Sequence, residues 1–242
     1  MNSRNYRIAD LTLRIDFKGE LSLRQARPYL IEDDAEPDIE INLARGDYQN
    51  CFKLNYDDPE ELEHALTRFA FQRELLKFDG LVLHASAVVS AGQAYLFSAN
   101  SGVGKSTQTG FWLKRFAAEN AFLLNDDAPA LRKFGGSWFA YGTPWAGSTR
   151  INVNAKAPLR AIAFIERSEK SWSRRLSEDE ALPLFLQQSM RPPRRKELER
   201  AIDSCARLVA DIPIFKMGRP LDPDSIVVAR DAMDGQPAPD SL

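Results

Sequence analysis

Phe97-Ser98-Ala99-Asn100-Ser101-Gly102-Val103-Gly104-Lys105-Ser106-Thr107 is the stretch on which the reading of this chain turns. From Ala99 to Ser106 it matches the Walker A pattern, with Ala in place of the first Gly. Glycines let the backbone curl so that successive N–H groups point inward at phosphate oxygens. A helix behind the loop adds its unpaired N–H groups and the positive end of its dipole. In such a P-loop the Lys meets the β- and γ-phosphates as a point charge, and the Ser hydroxyl ligates Mg²⁺. The pattern needs a strand before it and a helix after it. Ala94–Phe97 supplies an apolar strand and Ser106–Phe116 the helix, so the fold class is α/β. Asn100, Ser101, Gly102, Val103, Gly104, Lys105, Ser106 and Thr107 are the expected nucleotide-binding residues. Ala99 adds a Cβ at the loop entrance and removes no contact made by Gly102–Ser106.

Downstream, Phe122-Leu123-Leu124-Asn125-Asp126-Asp127 reads as an apolar strand ending in two carboxylates. A Walker B acid needs this arrangement, because a buried strand carries the carboxylate to the sheet edge beside the metal. Magnesium takes hard oxygen ligands and keeps several waters, so one carboxylate is enough. The second could take a proton from an attacking hydroxyl. Alone, Asn-Asp-Asp is ordinary turn chemistry after a strand; the upstream loop favours the functional reading.

Further out, Tyr6–Phe17 and Pro37–Leu43 alternate as strands, and Asn50–Tyr56 is a candidate third. Asp57-Asp58-Pro59-Glu60 opens a helix to about Lys77, closed by Phe78-Asp79-Gly80. Leu81–Val89 and Ala94–Phe97 read as a hairpin around Ser90-Ala91-Gly92. Strands follow at Ala128–Phe134 and Trp138–Tyr141 around Gly135-Gly136, then at Leu159–Ile165 and Ile212–Lys216. Helices are expected at Asp179–Gln188, Arg195–Leu208 and Pro223–Met233. The organisation is a β-rich N-terminal region over 1–79 without recognisable chemistry, a P-loop domain over 80–233, and a frayed tail over 234–242.

The 242 residues are 44% hydrophobic and 27% charged, with a net charge of −2, an ordinary globular balance. That charge does not suit a nucleic-acid partner, which would want a strongly basic face. No apolar run reaches the length of a membrane span, and the first residues carry no signal core, so a cytoplasmic location and no membrane partner are expected. The two cysteines, Cys51 and Cys205, have no metal-ligand spacing.

Leu83-His84-Ala85-Ser86-Ala87-Val88, the loop, Asn125-Asp126-Asp127 with Pro129, Tyr141-Gly142-Thr143-Pro144-Trp145 and Pro158–Arg167 together resemble the HPr serine kinase C-terminal-domain family. The likeness covers about residues 80–230 and is to the stand-alone, HPr-kinase-like members. These share a mixed sheet with flanking helices with phosphoenolpyruvate carboxykinase, and relatives occur as tailoring kinases in lasso-peptide clusters. The resemblance implies an ATP- and Mg²⁺-dependent kinase acting on a hydroxyl of a small protein, a peptide or a polyol. It implies catalytic roles for His84, Lys105 and Asp127, with Asp127 the general base and Asp126 beside Ser106 on the metal. A glycine-rich signature after the acidic pair, leading to a C-terminal helix that grips HPr, is missing, which argues against HPr as substrate and against reversal by phosphate. No base-reading motif separates ATP from GTP, and homo-oligomeric assembly, as in HPr kinases, stays open. A nucleotide-binding regulator without transfer is the alternative. A carboxykinase-like reaction is disfavoured for want of a second metal site.

Thr143, Trp145 and Arg150, in the loop Gly142–Arg150, are candidate substrate contacts, since loops of this composition build sites on rigid scaffolds. Trp145 could stack on a ligand or plug the core. Among the arginines of the loose basic run from Arg150 to Arg175, Arg150 and Arg167 lie near strand ends and suit stabilisation of a transferring phosphoryl group.

Overall fold

The computed structural model describes residues 3–33, 35–44, 57–147, 149–189, 192, 194–220, 223 and 225–235. The strand expected over 50–56, Cys51, Ser148 and the tail beyond 235 lie outside these residues.

The N-terminal sheet contains β1 (Arg4–Ile8), β2 (Leu11–Ile15), β3 (Leu30–Ile31) and β4 (Ile39–Ile41), in the order β3-β1-β2-β4. The single strand expected over Tyr6–Phe17 is instead a hairpin. Its turn is Ala9-Asp10, both left-handed at φ 54° and 60°, with no glycine to signal it. The turn is held from outside: Arg132 Nη1 donates to Ala9 O (3.0 Å), and Tyr141 Oη and Lys156 Nζ donate to the Asp10 carboxylate (2.8 and 2.6 Å).

Helix α1 (Glu20–Ala26) has no side-chain cap of its own. Its first N–H groups, those of Glu20 and Leu21, donate to Glu60 at 3.1 and 3.2 Å, and those of Lys18 and Gly19 to Glu63 at 2.8 and 2.7 Å. Both acids sit on α2 (Pro59–Leu75), whose N-cap Asp58 accepts from Glu60 N at 2.9 Å with Pro59 in the first turn. α2 therefore starts where the sequence indicates, and it caps the helix that the sequence does not announce.

The second sheet contains β5 (Gly80–Val82), β6 (Ala85–Ser90), β7 (Gln93–Ser98), β8 (Phe122–Asn125), β9 (Ala130–Phe134), β10 (Ser137–Tyr141), β11 (Lys156–Arg167), β12 (Trp172–Arg175) and β13 (Ile214–Arg219). Its path is β5-β9-β10-β11-β7-β6-β8, with β13 on β11 and β12 on β13. β11 runs parallel to β7 and β13, and its other pairing, with β10, is antiparallel. The result is a curled mixed sheet with flanking helices. The continuous strand expected over Leu81–Val89 is broken at Leu83-His84: β5 pairs with β9, whereas β6 pairs with β7 and β8. β12 was not expected from the sequence. It closes over Gly218, where a Cβ would stand 2.0 Å from Trp172 Nε1.

Helices α3 (Lys105–Arg115), α4 (Glu178–Gln188), α5 (Arg195–Asp211) and α6 (Ser225–Asp234) flank this sheet. Trp112 of α3 is fully buried among Tyr95, Phe97 and Phe116. On the other face, Phe185 of α4 meets Phe164 edge-on, and Leu208 of α5 joins the same core. A third core joins Leu13, Ile15, Phe71 and Leu75 to Val82, Ala130, Tyr141 and Trp145, so it runs across Asp79-Gly80. Among the described residues, no helix is long and apolar enough to cross a membrane.

Candidate functional site

The Gly-rich loop joins β7 directly to α3, as the motif requires. Gly102 and Gly104 adopt φ 77° and 109°, which an L side chain rarely tolerates. Gly104 is the N-cap of α3 and no side chain caps that terminus. Ala99 is buried in the core with Trp112, which accounts for a methyl group at this position. Lys105 Nζ donates to Ala99 O at 3.0 Å, folded over the loop. Burial pushes the Lys105 ammonium below its ordinary value, against the pull of Asp127 and Asp126.

β8 delivers the acids. Asn125 is wholly buried, and its amide nitrogen donates to Thr143 O (2.9 Å) while its Oδ1 accepts from the N–H groups of Asp127 (2.9 Å) and Ala128 (2.7 Å). This side-chain turn sends the two carboxylates in different directions. Asp126 points toward α3: Ser106 Oγ lies 3.1 Å from each carboxylate oxygen, and Ser86 Oγ donates to Oδ1 at 2.7 Å. Asp127 points toward α2 and the β5–β6 break. Arg68 Nη1 donates to its Oδ2 at 2.7 Å, and His84 Nε2 lies 3.3 Å from Oδ1. His84 Nδ1 is 3.0 Å from Gln188 Oε1, and Gln188 Nε2 donates to Asn100 Oδ1 at 2.8 Å. The break in the strand places His84 at a bend, where its ring reaches both Asp127 and α4. Burial alone would raise the Asp127 carboxyl; the hydrogen bond with His84 and the charges of Arg68, His84 and Lys105 outweigh it and hold the group below its ordinary range.

Lys105, Ser106, Asp126, Asp127 and His84 thus lie together at one end of β6, β7 and β8. Two arginines brace the loop from behind: Arg167 donates to Gly102 O (2.7 Å) and Arg219 to Gly104 O (2.6 Å). They are register partners on β11 and β13. Of the Gly142–Arg150 loop, Thr143 is enclosed, whereas Trp145 and Arg150 line a cavity beside Asp127. Thr143 is fully buried and donates to Ala128 O at 2.8 Å. Trp145 is 1% exposed, stacks on Phe71 at 4.8 Å and donates to Thr67 Oγ1 at 3.1 Å, so it packs in the core while one side of it lines the cavity. Arg150 pairs with Glu61 of α2 at 2.9 Å.

Arg68, Ser86, Gln188 and Arg219 belong to this constellation and were not singled out from the sequence. Ser86 carried a faint signal: a hydroxyl in an otherwise apolar strand needs a partner. Arg68, on a helix of the N-terminal region, carried none.

Two cavities flank Asp127, of about 340 and 400 Å³, and both are walled by Arg68. Among the described residues there is no cluster of three or more His, Cys, Asp or Glu that could hold a metal ion. The donor pair Ser106–Asp126 fits Mg²⁺ completed by phosphate oxygens and water, and not a site built wholly from protein.

No family model matches the sequence, and no curated protein matches it. Among solved structures, the HPr(Ser) kinase/phosphatase from Coxiella burnetii is similar at a TM-score of 0.36 and 12% identity, over 62% of this chain and 95% of that one.

Proposed function

We propose that the chain is a kinase that binds a nucleoside triphosphate on the loop Ala99–Thr107 and passes the γ-phosphoryl group to a hydroxyl. The observation that carries this reading is the split of adjacent carboxylates: Asp126 faces the Ser106 hydroxyl, and Asp127 faces away from it toward His84 and Arg68. Separate environments for adjacent acids suit separate roles. Mg²⁺ held by Ser106 and Asp126 would neutralise charge on the β- and γ-phosphate oxygens. Asp127, held ionised, accepts the proton of the acceptor hydroxyl. The hydroxyl oxygen bonds to the γ-phosphorus, the bridging P–O bond breaks, and the nucleoside diphosphate leaves with that electron pair. Lys105 stabilises the charge on the phosphates, and His84 orients Asp127.

The test is direct. Lys105→Ala should weaken binding of a fluorescent ATP analogue with Mg²⁺ by tenfold or more; unchanged affinity would remove the loop from the reading. Asp127→Asn should keep that affinity and lose transfer of label from γ-labelled ATP to any acceptor in a cell extract. If wild type adds no label to any species beyond that seen in the extract alone, the chain is a nucleotide-binding regulator and not a kinase.

A further inference from the structure

The 340 Å³ cavity lies between α2 and the turn that follows Trp145, with Asp127 in its wall. None of its lining residues belongs to the Gly-rich loop. It opens onto Asp127 from the α2 side, whereas Asp126 and Ser106 lie on the α3 side. In-line transfer needs the acceptor hydroxyl beside the base and opposite the leaving oxygen at the γ-phosphorus; a cavity with Asp127 in its wall can bring a hydroxyl to that base. Its volume is in the range of small-molecule sites.

The polar groups of the wall restrict the ligand. Glu61 and Arg150 pair with each other, and Asp127 pairs with Arg68. The lining therefore carries two positive and two negative charges, already matched. An anionic acceptor would meet Glu61 and Asp127, and a cationic one Arg68 and Arg150. Hydroxyl groups both donate and accept, so a neutral polyol can bond to carboxylates and guanidiniums alike. His64 also lines the cavity. It is 9% exposed, its Nδ1 is 3.3 Å from Ser22 Oγ, and its Nε2 has no hydrogen-bond partner. That nitrogen is itself closed off from solvent, so His64 shapes the wall and offers the ligand no hydrogen bond. We infer that this cavity is the acceptor site, and that it takes a small, uncharged polyhydroxy compound. The N-terminal region is then part of the catalytic unit, supplying Glu61, His64 and Arg68. The inference rests on the reading of Asp127 as the base.

The experiment measures acceptor-dependent ADP formation by the full chain with MgATP. The probes are glycerol, ribose and myo-inositol, against glycerate, choline and a library of serine peptides, with ³¹P NMR to identify the product. Turnover is expected with at least one neutral polyol and not with the charged or peptide acceptors. Glu61→Gln should raise KM for the polyol roughly tenfold, and Glu61→Trp, which adds bulk to the cavity wall from a half-buried position, should abolish use of the polyol while MgATP still binds. Preference for a charged acceptor or a peptide, no turnover of any polyol by a chain that binds MgATP, or an unchanged KM in Glu61→Gln would overturn the assignment. Loss of the reading of Asp127 would show differently, as label transfer that survives Asp127→Asn.

Discussion

Replacing Arg68 by Met keeps most of the side-chain volume and removes the charge from Asp127 Oδ2. The two groups are 2.7 Å apart at their nearest atoms, and their side chains are 24% and 22% exposed. Two unit charges about 4 Å apart interact by about 4 kcal/mol at an effective dielectric constant near 20. Fully exposed pairs measure about 0–1 kcal/mol, and breaking a buried pair costs about 3–5. A pair one-quarter exposed belongs between, at about 2 kcal/mol. For a chain of 242 residues that lowers Tm by about 4–8 °C. Asp127 is held below its ordinary range, so its contribution is complete above about pH 4 and fades as pH falls through the folded-state value. The assay is urea unfolding of wild type, Arg68→Met, Asp127→Asn and the double variant. At pH 7 the cycle should yield a coupling of about 2 kcal/mol, and the gap between wild type and Arg68→Met should close on acidification. A coupling under about 0.5 kcal/mol, or a gap that persists unchanged into acid, would refute the claim that Arg68 holds the Asp127 carboxylate.

Three further outcomes follow from other parts of the fold. Gly142→Ala would place a Cβ 1.8 Å from Val153 O, a backbone atom, and should cost about 3 kcal/mol or more, visible as a lowered urea midpoint or loss of soluble protein. His64 is pushed down from 6.5 to about 4, chiefly by burial and then by Arg68 and Arg150; its folded value lies below its unfolded one, so the stability it contributes is complete above about pH 6.5 and drains away as pH falls toward 4. Thermal scans should show that decline in wild type and a shallower one in His64→Gln. Ser106→Ala removes the hydroxyl 3.1 Å from both oxygens of Asp126, and should weaken the Mg²⁺ dependence of nucleotide binding while leaving Tm within about 2 °C, measured by titrating Mg²⁺ against a fluorescent analogue.

What could be read from the sequence alone was local. The loop at Ala99–Thr107 carries its strand, glycines and helix within a short span, and α2 carries its own cap and proline. Gly135-Gly136 marks a turn, and both residues take positive φ. Where a local signal was borrowed from elsewhere, reading along the chain failed. α1 is capped by Glu60 and Glu63 from another helix, and the Ala9-Asp10 turn is secured by Arg132, Tyr141 and Lys156 far along the chain. The strand break at His84 has no glycine or proline; it arises because β5 and β6 pair with different neighbours.

The same division applies to the site. Lys105, Ser106, Asp126 and Asp127 are visible because they stand in short motifs of the residue types that the proposed phosphate transfer needs. The directions in which the two carboxylates point depend on the local turn made by Asn125 and on Ser86, and of these only Ser86 is brought to them by the folded sheet. Arg68 and Glu61 reach the site through α2, from a region whose sequence shows no chemistry at all. A helix face advertises only its apolar stripe, and which charged residue beside that stripe meets a carboxylate 59 positions away is decided by packing. Here that packing is the core shared by Phe71, Leu75 and Trp145.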